Sequence, residues 1–188
     1  MKEGFPVVLS SPSGGGKSTV ADGLARKCEF LRRSRSTTTR PPRAGEEAGR
    51  DYDFVTEAEF ESMKAGGEFV ESAYVHGHQY GTPKAFVVKT CRDGFCPLLV
   101  IDVQGGLSVK RHDPRTVLVF LMPPSLDELE RRLRGRHTES PDALETRLGN
   151  ARQEIAESAK YDYIVVNEQL DLAIDQVCRV LTREREST

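Results

Sequence analysis

Ser10-Ser11-Pro12-Ser13-Gly14-Gly15-Gly16-Lys17-Ser18-Thr19 lies between the apolar run Phe5-Pro6-Val7-Val8-Leu9 and the stretch Val20-Ala21-Asp22-Gly23-Leu24-Ala25. A strand, a glycine-rich turn closing on Gly-Lys-Ser, and an amphipathic helix follow one another in the order of a P-loop. Glycine lets the backbone curl with its N–H groups turned inward, and the N-terminus of the next helix aims partial positive charge at the same point. An anion belongs there. In such loops the lysine, here Lys17, reaches the β- and γ-phosphates of a nucleotide, and the Ser18 hydroxyl sits on a magnesium ion. Ser13, Gly14, Gly15, Gly16 and Thr19 complete the expected cradle. The motif's first position, usually glycine, is Ser11.

The chain has 188 residues, enough for one domain with a sizeable core and too few for two ordinary ones. Its 37% hydrophobic and 30% charged residues describe a soluble globular protein. No apolar run approaches the roughly 20 residues that a membrane-spanning helix needs, and the start lacks a long apolar signal segment. A cytoplasmic protein is expected. Cys28, Cys91, Cys96 and Cys178 contain no C-x-x-C pair, so neither disulfides nor zinc is expected in a reducing compartment. With 27 basic and 29 acidic side chains the net charge is -2, and nothing global draws the chain to nucleic acid. Cationic sites must be local. Two clusters offer themselves: Arg32, Arg33, Arg35, Arg40, Arg43 and Arg50, then Arg131, Arg132, Arg134 and Arg136.

Outward from the P-loop, the chain reads as alternating helices and strands. A helix over residues 18–28 precedes a polar, basic loop over 31–50. A short strand at Tyr52-Asp53-Phe54-Val55 leads to Thr56-Glu57-Ala58-Glu59, a capping box that opens a helix to about Lys64. From Glu68 to Val75 the pattern alternates, and Glu71 interrupts the apolar face. That carboxylate is either turned out at a sheet edge or aimed at a partner with donors. His76 to Pro83 reads as a turn, and its H-x-H pair lacks a third ligand nearby, which argues against a metal. Pro83 then opens a helix to about Arg92. Pro97-Leu98-Leu99-Val100-Ile101-Asp102-Val103 reads as a buried parallel strand ending in an aspartate that either faces a site or caps the next helix. Residues 115–121 and 163–167 are further buried strands. Ser125-Leu126-Asp127-Glu128 is a second capping box, Ser140-Pro141 starts a long helix, and Leu170 to Leu181 closes the chain as an amphipathic helix. The fold class is α/β with a parallel sheet core flanked by helices.

The run Ser36-Thr37-Thr38-Thr39-Arg40-Pro41-Pro42-Arg43-Ala44-Gly45-Glu46, followed by Gly49-Arg50-Asp51-Tyr52-Asp53-Phe54-Val55, closely resembles the signature of guanylate kinases. The likeness continues through Glu68-Phe69-Val70-Glu71, Tyr80-Gly81-Thr82-Pro83, Ile101-Asp102-Val103-Gln104-Gly105, Arg132-Leu133-Arg134-Gly135-Arg136, Arg147-Leu148 and Ile164-Val165-Val166-Asn167. It implies a P-loop nucleoside-monophosphate kinase fold: a core of residues 1–33, 90–125 and 153–188, a GMP-binding insert over 34–89, and a mobile lid over 126–152.

The resemblance further implies ATP as phosphoryl donor, Mg2+ as cofactor, and GMP, with dGMP, as acceptor. Arg40, Arg43, Tyr52 and Tyr80 would hold the GMP phosphate, while Ser36, Glu71, Thr82 and Asp102 would read the guanine. Arg132, Arg136 and Arg147 would embrace the transferring group and, with Lys17 and Arg40, form the catalytic set. Asn167 would lie near the adenine. Guanidinium forks suit a dianionic phosphate, and a carboxylate can accept from both N1–H and the 2-amino group of guanine. Two positions depart from the family's habit: Val100, where an acid often stands near the metal, and His78-Gln79 before Tyr80. A non-catalytic module of the same fold is opposed by the intact P-loop, and a sugar-phosphate kinase by the complete guanine-reading set. Neither membrane nor nucleic-acid partners are expected, and homo-oligomerisation stays open.

Overall fold

Strands buried on both faces are written as continuous apolar runs, and their crossovers place helices on either side of the sheet. The structure, a computed structural model, describes residues 2–75, 77–135 and 141–187. In chain order its elements are β1 (Val7–Ser10), α1 (Lys17–Lys27), β2 (Leu31–Arg33), β3 (Thr37–Thr38), β4 (Asp53–Phe54), α2 (Glu57–Ala65), β5 (Phe69–Val75) and β6 (His78–Pro83). α3 (Lys84–Arg92), β7 (Cys96–Val100), α4 (Val103–His112), β8 (Val117–Met122), α5 (Leu126–Arg134), α6 (Pro141–Glu157), β9 (Tyr163–Val166) and α7 (Leu170–Ser187) follow.

Among the described residues, one sheet runs β2-β7-β1-β8-β9 with every pairing parallel. Val8 pairs with both Leu99 and Leu118. Because successive side chains alternate faces, Val7 and Leu9 point to one core layer with Val20 and Leu24 of α1 and Val177 and Leu181 of α7. Val8, Leu99, Leu118 and Phe120 point to the other, against Val87 of α3 and Val103 and Val109 of α4. Each such fully buried side chain contributes roughly 1.5–3 kcal/mol. From β1 the chain crosses to β2 at the edge beyond β7, and from β7 it crosses to β8 on the opposite side of β1. A ligand site is therefore expected at the carboxyl ends of these strands.

A second sheet, β4-β3-β6-β5, belongs wholly to the expected insert. Here two segments differ from the sequence reading. The basic loop contains β2, which joins the core sheet beside β7, and β3, which pairs with β4 and β6. The turn expected over 76–83 is mostly strand β6, hydrogen-bonded antiparallel to β5, with Gly77 at φ 84 in the connection. These three strands are mostly polar and owe their form to cross-strand partners, which local pattern does not reveal. The capping box at Thr56 and Glu59 forms in full. At Ser125 only half of one does: its hydroxyl accepts the Glu128 N–H, while the Glu128 carboxylate binds Arg131 and Arg132.

α5 and α6 carry a satellite core of Leu129, Leu133 and Ala151 with Leu144 and Leu148. It seats on the P-loop: a Cβ at Gly14 would come within 2.9 Å of Leu133. The expectation of four free thiols is overturned for one pair. Cys28, which ends α1, is bridged to Cys178 of α7 across 6.3 Å between Cα atoms, while Cys91 and Cys96 stay free and buried. The pair is 150 residues apart in sequence, and only the packing of α1 on α7 brings it together. Among the described residues no helix is long and apolar enough to cross a membrane.

Candidate active site

A loop that binds anions through its backbone must keep those N–H groups free of side-chain partners. Gly16 ends the loop as the N-cap of α1 at φ 88 and supplies no side-chain cap. Gly14 is also left-handed, at φ 85. Ser11, the departure from the motif, is buried; its hydroxyl donates to the Pro12 carbonyl, and Gly15 leaves room for it, since a Cβ there would lie 2.7 Å from the Ser11 oxygen. Lys17 folds back to donate to the Ser11 carbonyl at 3.1 Å. Desolvation lowers its pKa, opposed by the charges of Glu154 and Asp102.

The acceptor side is built from side chains. Arg40 is only 7% exposed. Its Nε donates to the Tyr80 hydroxyl at 3.2 Å, Nη1 to the Pro41 carbonyl at 2.7 Å and Nη2 to Glu46 at 2.9 Å. The guanidinium lies over the Tyr52 ring, 5.3 Å from its centroid, and near Phe54. Burial of Glu46 is outweighed by the Arg43 N–H and by Arg40, which hold its carboxyl below the usual range. Sequence reading missed Glu46 as a site residue, although it closes the quoted Arg43-Ala44-Gly45-Glu46 run.

Glu71 answers the question its strand face posed. It is 8% exposed, stands opposite Thr82 in the β5–β6 register and accepts that residue's hydroxyl at 2.6 Å. Its other oxygen reaches the start of α4, where a Cβ on Gly105 would lie 2.8 Å away. Burial pushes the Glu71 carboxyl up to about 7, with the Asp102 charge adding and the Thr82 hydroxyl opposing. Asp102 does both things foreseen for it. It caps α4 by accepting the Gly105 N–H at 2.8 Å, and it lines the site.

One cleft of about 320 Å³ joins the two sides. The P-loop contributes Ser13, Gly14, Gly16, Lys17, Ser18 and Thr19 to its wall. Ser36, Arg43, Tyr52, Glu71 and Tyr80 line it from the insert, with Val100 and Asp102 from the end of β7 and Arg147 from α6. Arg40 and Thr82 lie behind this wall, holding Tyr80 and Glu71. Asn167 and Arg132 serve the loop from the far side: Asn167 donates to the Gly15 carbonyl at 2.9 Å, and Arg132 donates to the Asn167 carbonyl at 3.3 Å while paired with Glu128. Arg131 and Arg134 pair with Glu128 and Glu130 on the surface of α5. Arg136, expected to be catalytic, and His76 of the H-x-H pair lie outside the described residues.

Among the described residues no group of three or more His, Cys, Asp or Glu side chains could hold a metal ion. The donor set that does exist, the Ser18 hydroxyl with Asp102 nearby in the cleft, suits magnesium, which keeps several waters and takes most other oxygens from substrate phosphates.

The guanylate kinase family model matches residues 3–184. A guanylate kinase of Caldanaerobacter subterraneus is 41% identical over 184 residues, covering 98% of this chain and 89% of that protein. One from Gloeobacter violaceus is 46% identical over 178 residues, covering 95% and 87%. The crystal structure of guanylate kinase from Anaplasma phagocytophilum superposes with a TM-score of 0.83 at 36% identity, covering 98% of this chain and 88% of that one. A gluconokinase from Sinorhizobium meliloti, at 15% identity and a TM-score of 0.54, shares the fold alone.

Proposed function

The chain belongs to the guanylate kinase family, and from that premise we propose how its residues divide the work of phosphorylating GMP to GDP with ATP. The P-loop amides and Lys17 hold the β- and γ-phosphates of ATP. Arg40, Arg43, Tyr52 and Tyr80 hold the GMP phosphate; Ser36, Glu71, Thr82 and Asp102 read guanine. Arg132, Arg136 and Arg147 close over the transferring group as part of a lid spanning 126–152. Asn167, through its bond to Gly15, supports the loop on the side where adenine binds. The observation that carries this reading is the single cleft in which the P-loop lysine and the buried Glu71 face a common space.

No general base is required. The GMP phosphate oxygen is already ionised at neutral pH, so the protein's part is alignment, exclusion of water and neutralisation of charge. Arg40 enters that role oriented in advance by Glu46, Tyr80 and two aromatic rings. Its planar fork keeps its geometry at low entropic cost. Ser18 and the substrate phosphates would hold magnesium, which would supply further charge neutralisation. Val100 adds no acid to that shell. The acceptors are GMP and dGMP, the guanine contacts being indifferent to the 2′-hydroxyl, and the enzyme acts in the cytoplasm.

A coupled assay of ADP release with GMP, dGMP, AMP, CMP and UMP checks this reading. GMP and dGMP are expected to exceed the other three by roughly 10⁴-fold in kcat/KM, because a buried acceptor pair rejects bases that leave it unmatched. Comparable rates with AMP would refute the guanine assignment.

A further inference from the structure

Thr38 is wholly buried on β3, so its side chain meets no ligand. It stands opposite Tyr80 in the antiparallel register with β6. Its hydroxyl is used twice. Oγ1 donates to the Gln79 carbonyl at 2.9 Å and accepts the Arg40 N–H at 3.2 Å. Gln79 immediately precedes Tyr80 in β6, so one oxygen ties the main chain of Arg40 to the strand that carries Tyr80. The two residues meet again at their tips, where Arg40 Nε donates to the Tyr80 hydroxyl at 3.2 Å. The partners of Thr38 Oγ1 are not equally replaceable. The Gln79 carbonyl also accepts the Thr39 N–H at 3.1 Å and keeps that bond if the hydroxyl goes. Among the described residues the buried Arg40 N–H has this oxygen alone.

We propose that Thr38 is a positioning residue for the GMP phosphate: its hydroxyl sets the main chain of Arg40 against Tyr80, so that guanidinium and phenol converge on the same phosphate oxygens. The assignment rests on placing that phosphate at Arg40 and Tyr80. Glu46 fixes the far end of Arg40, and Thr38 fixes the near end. Without the hydroxyl a buried N–H is left unsatisfied, and the chain at Arg40 must turn to find water or another acceptor. A long side chain magnifies a small turn of its own backbone. The phosphate contacts are lost first, whereas the base, read from β5 and the start of α4, is untouched.

Calorimetric titration of the full chain with GMP and with guanosine separates phosphate from base. Thr38→Val keeps the branched shape and removes the hydroxyl. It should weaken GMP binding about five-fold or more, the worth of one hydrogen bond, while guanosine affinity moves less than about two-fold. Thr38→Ala should shift the ratio in the same direction, and Thr38→Ser, which returns the hydroxyl, should bring GMP affinity back to within about two-fold of wild type. In turnover the loss should fall on the KM for GMP and leave the KM for ATP unchanged. Thr116→Val, at another wholly buried threonine, should leave the ratio of GMP to guanosine affinity alone. Equal weakening of both ligands, unchanged GMP affinity in Thr38→Val, or no recovery in Thr38→Ser would each overturn the proposal. Wild-type protein that binds GMP no tighter than guanosine would instead remove the phosphate assignment on which it rests.

Discussion

The two halves of the cleft are made in different ways. On the side proposed for the donor the recognising atoms would be backbone N–H groups, held by left-handed glycines and by the packing of β1, α1 and Asn167. On the side proposed for the acceptor they are side chains flanking the two-residue strands β3 and β4 and on the β5–β6 hairpin, held by one another: Arg40 by Glu46 and Tyr80, Glu71 by Thr82. A backbone cradle tolerates an unusual side chain such as Ser11, provided that it is small and satisfied. A side-chain site has no such tolerance, because each member is oriented by its neighbour and a lost partner leaves a buried charge uncompensated.

The largest expected effect falls on the lysine proposed to meet the donor's phosphates. Lys17→Ala should lower kcat by about 10³-fold or more while GMP binding and the melting temperature stay close to wild type. A near-normal kcat would show that the backbone alone suffices, and the contrast between the two halves would sharpen.

Next comes Glu71→Gln, which exchanges an acceptor for an amide donor against guanine. Its kcat/KM for GMP should fall about 10²-fold and its activity on AMP far less. The same group has a pH signature. Its pKa in the empty fold is raised to about 7, above the roughly 4.3 of an unfolded chain. The folded state therefore binds the extra proton between these values, and stability declines as pH rises from about 4.3 to 7. Thermal melts of Glu71→Gln should show a gain of about 1–3 kcal/mol at pH 8 and little at pH 4. Guanine donates to the ionised form, so in wild type the KM for GMP should rise as pH falls below about 7. A flat KM between pH 6 and 8 would break the link between this carboxylate and the base.

A smaller effect probes the acceptor half's internal support. Glu46→Gln removes the charge paired with Arg40 and should raise the KM for GMP about ten-fold, roughly the worth of one charge-assisted hydrogen bond, with kcat less affected. An unchanged KM would mean that Tyr80 and the aromatic rings orient Arg40 unaided. The smallest is Ser11→Gly, which restores the usual motif: kcat/KM should stay within about three-fold, since the loop's donors are unaltered. A larger change would bring side-chain dependence into the donor half and erase the distinction.

The donor half could be read directly from Gly14-Gly15-Gly16-Lys17-Ser18 because its geometry is local: backbone angles that glycine permits, followed at once by a helix start. The core strands were legible for a related reason, since Leu98-Leu99-Val100-Ile101 and Val117-Leu118-Val119-Phe120-Leu121 are apolar throughout and can be satisfied only inside a sheet. Resemblance carried the arginines and Glu71 to their positions. The residues that hold them were harder to see. Glu46 looks like an ordinary surface acid in sequence, and only its bond to Arg40 in the fold shows what it does.

What the amino-acid order determined alone is the P-loop run, the parallel core and the capping of α2; family resemblance then named the groups proposed to meet phosphate and guanine. Tertiary structure decided the rest: that residues 78–83 become a strand by pairing with β5, that Cys28 meets Cys178, and that Arg40 and Glu71 are buried with partners. The division has one physical cause. Backbone conformation and periodic burial depend on neighbours within a few residues, whereas a buried charge is tolerable only through partners brought from elsewhere in the chain, and those exist only after the chain has folded.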